Sequence, residues 1–205
     1  MQKIMFNDQY ELTKAVLEGR KTQTRIICKY SRPNESYDIG FPIFEPKDYD
    51  NKGNNTSALN YAFGWRNDEG MFTGWNKPHY KVGEIVAIAQ SYADISMEPF
   101  PFCEAGWRNK MRVKADLMPH QIKITNIRIQ RLQDISDEDC LAEGVYKGQC
   151  GSIDTHLMDA YYYRGNIQPY CTPREAYAAL IDKVSGKDTW EHNPWVFVYE
   201  FELVK

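Results

Sequence analysis

The sequence predicts an α+β domain built on a mixed or antiparallel β-barrel, with flanking helices and long insertions. Three observations lead there. Short runs of β-branched and aromatic residues, beginning at Ile26 and spanning 85–89, 121–132 and 195–204, lie far apart in the chain, so their pairing is non-local. Helical spacing occurs in only three places and does not alternate with the strands as a doubly wound parallel sheet requires. Between these elements lie long polar stretches that nevertheless carry aromatic side chains.

Taken in order, Asn7 or Asp8 can cap a first helix in which Leu12, Ala15 and Val16 share a face, and Gly19 suits its left-handed stop. Ile26-Ile27-Cys28 then begins a strand. Residues 31–80 are rich in Asn, Gly, Pro and Asp but include Phe41, Phe44, Tyr61, Phe63, Trp65, Phe72 and Trp75, which need burial. A hairpin around Asn67-Asp68-Glu69-Gly70 is expected inside this insertion, packed on the barrel.

Val82-Gly83-Glu84 turns into a short buried strand, Ile85 to Ala89. Met111 to Ala115 and Gln121 to Leu132 read as further strands, and the switch of apolar parity between Ile124 and Ile127 predicts a bulge near Asn126. Ser136 opens a short helix with Asp139 in capping-box position and Gly144 beyond its end. Thr172-Pro173-Arg174-Glu175 is a stronger start, followed by the apolar face Tyr177, Leu180, Ile181 and Val184. Trp195 to Val204 alternates as a terminal strand.

Composition narrows the function classes. A chain of 205 residues with 42% hydrophobic, 26% charged and 14% aromatic residues has the makings of a packed core. The expected organisation is one domain over 1–205, with insertions at about 31–80, 94–109 and 146–171. No apolar run approaches the roughly 20 residues needed to cross a bilayer, and the polar residues that follow Met1 to Phe6 do not resemble a secretory signal, so a cytoplasmic location and no membrane partner are expected. Five scattered cysteines without CxxC spacing, and four histidines without paired spacing, predict neither a disulfide framework nor a metal site, and no cofactor is expected.

The net charge of −3 disfavours indiscriminate attraction to nucleic acid, yet two segments are basic. Residues 20–32 hold Arg20, Lys21, Arg25, Lys29 and Arg32 with no acid, and 107–131 hold seven Lys or Arg against one Asp. Alternation of Arg108, Lys110, Arg112 and Lys114 would place positive charge along one face of a strand, either to track phosphates or to protect a sheet edge. Tyr161-Tyr162-Tyr163 either stacks on bases or packs locally.

The segment Gly19-Arg20-Lys21-Thr22-Gln23-Thr24-Arg25 resembles the GxKxxTxR signature of ASCH domains, in the PUA-like superfamily. Leu132 to Asp139, leading into Ala142-Glu143-Gly144-Val145, resembles a later motif of that family, and Asn193 to Phe201 resembles the closing strand of its phage-associated members. The resemblance runs over about half the chain, chiefly 3–30, 81–93, 111–145 and 176–204. It implies a PUA-like barrel that binds RNA, a nucleoside or a related ligand, with Arg20, Arg25 and Gln90 among the binding positions. Gln90 follows Ala89 where phage-associated relatives carry an Arg-Glu pair, so this position cannot ionise here.

One branch of the family removes the acetyl group from N4-acetylcytidine with a lysine, a threonine and a glutamate, and the motif match places these at Lys21, Thr24 and Glu143. A neutral Lys21 would take the proton of Thr24, and Glu143 would orient the lysine or protonate the leaving amine. In a regular strand residues 21 and 24 face opposite sides, so a turn must bring them together. Two other readings stand beside these: a phage-related protein-interaction component, and a plain surface in which Lys21 and Arg25 are solvated charges and Glu143 an exposed helix end.

Overall fold

The computed structural model of the chain describes residues 1–40, 62–95, 105–152 and 156–204. Its strands are β1 (Lys3–Ile4), β2 (Gln23–Ile27), β3 (Tyr37–Gly40), β4 (Phe63–Asn67), β5 (Phe72–Asn76), β6 (Ile85–Ile88), β7 (Gln121–Arg131), β8 (Tyr146–Cys150), β9 (Met158–Tyr162) and β10 (Trp195–Val204). The α-helices are α1 (Leu12–Leu17), α2 (Asp137–Ala142), α3 (Pro173–Ser185) and α4 (Thr189–His192). This is a mixed α+β fold.

A five-stranded sheet in the order β1-β6-β7-β10-β2 forms its centre, with β1 parallel to β6 and the other neighbours antiparallel. Strand β10 lies between β7 and β2 and is apolar on both faces. Phe197, Tyr199 and Phe201 enter the larger core with Ile4, Val16 and Ile124, whereas Val196 and Val198 enter a second core beneath α2 and α3. Period-two alternation thus separates two hydrophobic clusters rather than a core from solvent. Strands β1 and β2 stand at opposite ends of the order and are not paired with each other, yet both line one cleft, so the sheet curls until its edges face across a gap.

Two smaller sheets, β3-β4-β5 and β8-β9, accompany it. The hairpin expected at Asn67–Gly70 joins β4 to β5: Gly70 donates to the Asn67 carbonyl, and its φ of 80° is one that glycine adopts without strain. Phe63 and Trp65 are fully buried in the larger core, as the aromatic content of this insertion predicts. Phe41, Phe44 and Tyr61 lie outside the described residues, as does most of the insertion expected at 94–109.

The bulge near Asn126 is present, since Glu200 faces Asn126 while Phe201 faces Ile124, leaving Thr125 as the extra residue. Helix α3 begins as expected, with Thr172 accepting from the Glu175 N–H at 3.1 Å. Two expectations change. The first helix is broken at Glu11, whose φ of 51° separates a 3-10 turn capped by Asn7 from α1. Residues 111–115 are not a strand: 110–112 and 115–117 form 3-10 turns, the first capped by Asn109. There Lys110 reaches the Phe6 carbonyl and Asp8, and Val113 packs with Tyr92, so local caps and anchored side chains override the alternating charge pattern. Among the described residues no helix is long and apolar enough to cross a membrane.

Candidate functional site

The turn that carries the basic motif is fixed before β2 begins. Arg20 and Lys21 both donate their backbone N–H to the Ala15 carbonyl, and Thr22 donates to the Ala142 carbonyl at 2.9 Å. Lys21 therefore precedes the regular alternation of β2, which starts at Gln23. This resolves the parity problem, because Lys21, Thr24 and Arg25 all line the same small cavity. Glu143 arrives from the C-terminus of α2, its N–H held by the Asp139 carbonyl at 2.9 Å. Gly144 follows at φ 110°, packed so closely that an added Cβ would lie 3.0 Å from Leu12 Cδ2.

Lys21 Nζ donates to Glu143 Oε2 at 2.5 Å and to the Glu143 carbonyl at 2.9 Å. Arg25 spans two acids, with Nη1 at 2.8 Å from Glu143 Oε1 and Nη2 at 2.8 Å from Asp139 Oδ2. Arg128 and Gln23 also donate to Asp139, at 3.0 and 2.6 Å, and Arg128 pairs with Glu200 at 2.9 Å. Lys21, Arg25 and Glu143 are only 2%, 7% and 4% exposed, which excludes the reading of solvated surface charges. Charges this deep persist only when paired and hydrogen-bonded.

Asp139 departs from its expected role. Ser136 caps the Asp139 N–H at 3.1 Å, but the Asp139 carboxylate turns toward Arg25, Arg128 and Gln23 instead of completing a capping box. Charge-assisted bonds to guanidinium groups outcompete a neutral backbone N–H.

Burial pushes the Lys21 ammonium below its ordinary range; the charge and hydrogen bond of Glu143 oppose this, and Arg25 adds to it. Burial would raise Asp139, but the bonds from Gln23, Arg128 and Arg25 outweigh it and hold the carboxyl below 3.8. Tyr177 is pushed well above the usual phenol range, first by burial and then by the neighbouring Glu143 carboxylate.

The cavity has a volume of about 70 Å³, and α3 supplies Tyr177 and Leu180 to its wall. Of the other expected binding residues, Arg20 lies at the surface against Glu18 at 2.6 Å, and Gln90 faces His120 Nδ1 at 2.7 Å beside a different cavity. Counted along the signature, its last arginine falls on position 26, which is Ile26 here; Arg25, one residue earlier, is the one that meets Glu143. The sequence reading missed Asp139, Arg128 and Tyr177 as site residues. Asp139 was legible only as a cap and Tyr177 only as part of an apolar helix face.

A second, larger cleft of about 710 Å³ opens between the two sheet edges and shares Met5 with the small cavity. Lys29, Lys77, His79 and Tyr30 line it, as do Lys3, whose ammonium donates to the Met111 and Val113 carbonyls, and the buried Tyr80. None of the seven basic residues of 107–131 lines this cleft: Lys110 is held by Asp8, Arg128 by Asp139 and Glu200, and Arg131 by the Asn193 carbonyl. No family model, curated protein or solved structure matches the chain.

Proposed function

We propose that the chain is a PUA-like ASCH-type domain that binds RNA, a nucleoside or a related ligand, with its curled sheet as the incomplete barrel of that fold. The observation that carries the reading is the convergence of Lys21, Thr24 and Arg25 with Glu143, more than 100 residues away, on one small cavity. Stability alone gives little reason to bury such a cluster, because apolar residues of similar volume often serve a core as well or better. The adjoining cleft offers the rest of a nucleotide or RNA ligand an exposed ring for stacking at Tyr30 and the ammonium groups of Lys29 and Lys77 for phosphate.

Binding of cytidine, N4-acetylcytidine and a short single-stranded RNA, followed by anisotropy or calorimetry, tests this reading. With Lys29 and Lys77 as the phosphate contacts, log K should fall with log salt at a slope no steeper than about −1.4, given roughly 0.7 per contact on single strands. Failure of all three probes to bind would sink the proposal.

A second reading, hydrolysis of an acylated amine of the N4-acetylcytidine type, is favoured by one observation. Burial lowers Lys21, and Thr24 lines the same cavity. Neutral Lys21 would accept the Thr24 proton as Oγ1 bonds to the acyl carbon. The C–N bond would then break with that proton passing to the leaving amine, and water would release the acid from Thr24. Turnover should rise with pH along a limb whose midpoint lies below 10.5, and Lys21→Ala should lower it by roughly a hundredfold or more. Binding without turnover would leave the binding reading standing alone.

A further inference from the structure

Several buried tyrosines in this protein have a partner for the hydroxyl. Tyr80 donates to the Lys3 carbonyl at 3.0 Å, Tyr92 accepts from the Lys114 N–H at 2.8 Å, and Tyr199 accepts from the His79 N–H at 2.7 Å. Tyr177 differs. It is 2% exposed, lines the small cavity, and its hydroxyl has no hydrogen-bond partner among the described residues. Leaving such a group dry and unpaired costs free energy, so the fold keeps it against a penalty. Arg25, on the same cavity wall, likewise keeps a buried Nε–H without a partner.

The Glu143 carboxylate does not accept from this hydroxyl: Oε2 is turned to Lys21 and Oε1 to Arg25. What the cavity lacks is an acceptor for a hydroxyl that stays protonated. We propose that Tyr177 is a further ligand-binding residue of this cavity, its hydroxyl donating to a carbonyl oxygen of the bound molecule, and that the group admitted is a small uncharged acyl or amide. This rests on the reading of the cavity as a ligand site.

Size and charge define that class. A volume of about 70 Å³ is well below the roughly 300–1,000 Å³ of pockets that enclose a whole drug-sized ligand. Only a terminal group of a few heavy atoms enters, and the rest of the molecule lies outside. Lys21, Arg25 and Arg128 are matched by Glu143, Asp139 and Glu200 in the ion-pair network. An entering carboxylate or ammonium would find no free counter-charge, whereas a neutral carbonyl needs only donors, and its oxygen can accept from two.

The test is a titration of full-length protein carrying 13Cζ-labelled tyrosine, with acetamide and separately with N4-acetylcytidine. The Tyr177 resonance is assigned by its loss in Tyr177→Phe. A saturable shift of that resonance with either probe, and a Kd raised about tenfold in Tyr177→Phe, is the expected result. Unchanged affinity in Tyr177→Phe, or no movement of the resonance with either probe, overturns the proposal. If acetamide moves the resonance and no nucleoside binds, Tyr177 keeps its role and the nucleoside reading fails. If N4-acetylcytidine binds without touching Tyr177, the reverse holds. A melting curve for Tyr177→Phe confirms that the variant is folded.

Discussion

Lys21 Nζ and Glu143 Oε2 meet at 2.5 Å across 122 residues of sequence, with both side chains almost wholly removed from solvent. Their partners are not symmetric. Glu143 neutralises both Lys21 and Arg25, whereas Arg25 also has Asp139.

Glu143→Ala should therefore destabilise the protein by about 3–5 kcal/mol, because it strands a buried lysine and half-strands an arginine. Lys21→Met should cost less, about 1–3 kcal/mol, since Glu143 loses the bonds at Oε2 and at its carbonyl but keeps its charge partner Arg25. Urea unfolding of both variants is the check, and equal losses would contradict the asymmetry.

Tyr177→Phe should raise stability by about 1 kcal/mol in the absence of ligand, because it deletes a buried donor that has no partner among the described residues. Thermal melting measures this directly. A fall in Tm of several degrees would mean the hydroxyl is bonded within the fold, and would remove the ground for its role in binding.

Asp139 should make its neighbourhood acid-sensitive. Its folded pKa lies below the ordinary 3.8, so the native state binds fewer protons than the unfolded chain in that interval. The stability it contributes is complete above pH 3.8 and is lost as pH falls through the depressed folded value. Asp139→Asn should flatten this part of the stability profile below pH 4 or so. An unchanged acid limb in the variant would place the sensitivity elsewhere.

Gly144→Ala should cost about 1–3 kcal/mol, for two reasons. Its φ of 110° disfavours an L side chain, and the new methyl would press on Leu12 at 3.0 Å. Because Gly144 directly follows Glu143, the strain should also weaken the Lys21 contact, visible as a loss of ligand affinity alongside the fall in Tm.

Local sequence determined much of the fold's punctuation, because turns and caps depend on a few adjacent residues. The Asn67–Gly70 hairpin, the Thr172 cap and the extra residue at Thr125 all follow from neighbouring chemistry, and β10 was legible from its alternation. The resemblance to a known family's motifs likewise pointed to Lys21, Thr24 and Glu143, which the fold gathers on one cavity. Tertiary structure decided the rest. Asp139 carries the signature of a cap, and only the approach of Arg25 and Arg128 from other strands turns its carboxylate inward. Tyr177 belongs by sequence to an apolar helix face, and only the packing of α3 against α2 brings it to the cavity wall, its hydroxyl without a partner among the described residues. Arg20 and Gln90 were drawn toward the site by motif position, yet the turn at Gly19 leaves Arg20 with Glu18, and Gln90 finds His120. Spacing along the chain records which residues are near in sequence, whereas the energy of a buried charge depends on groups brought from elsewhere, and those become known only once the sheet and helices are packed around them.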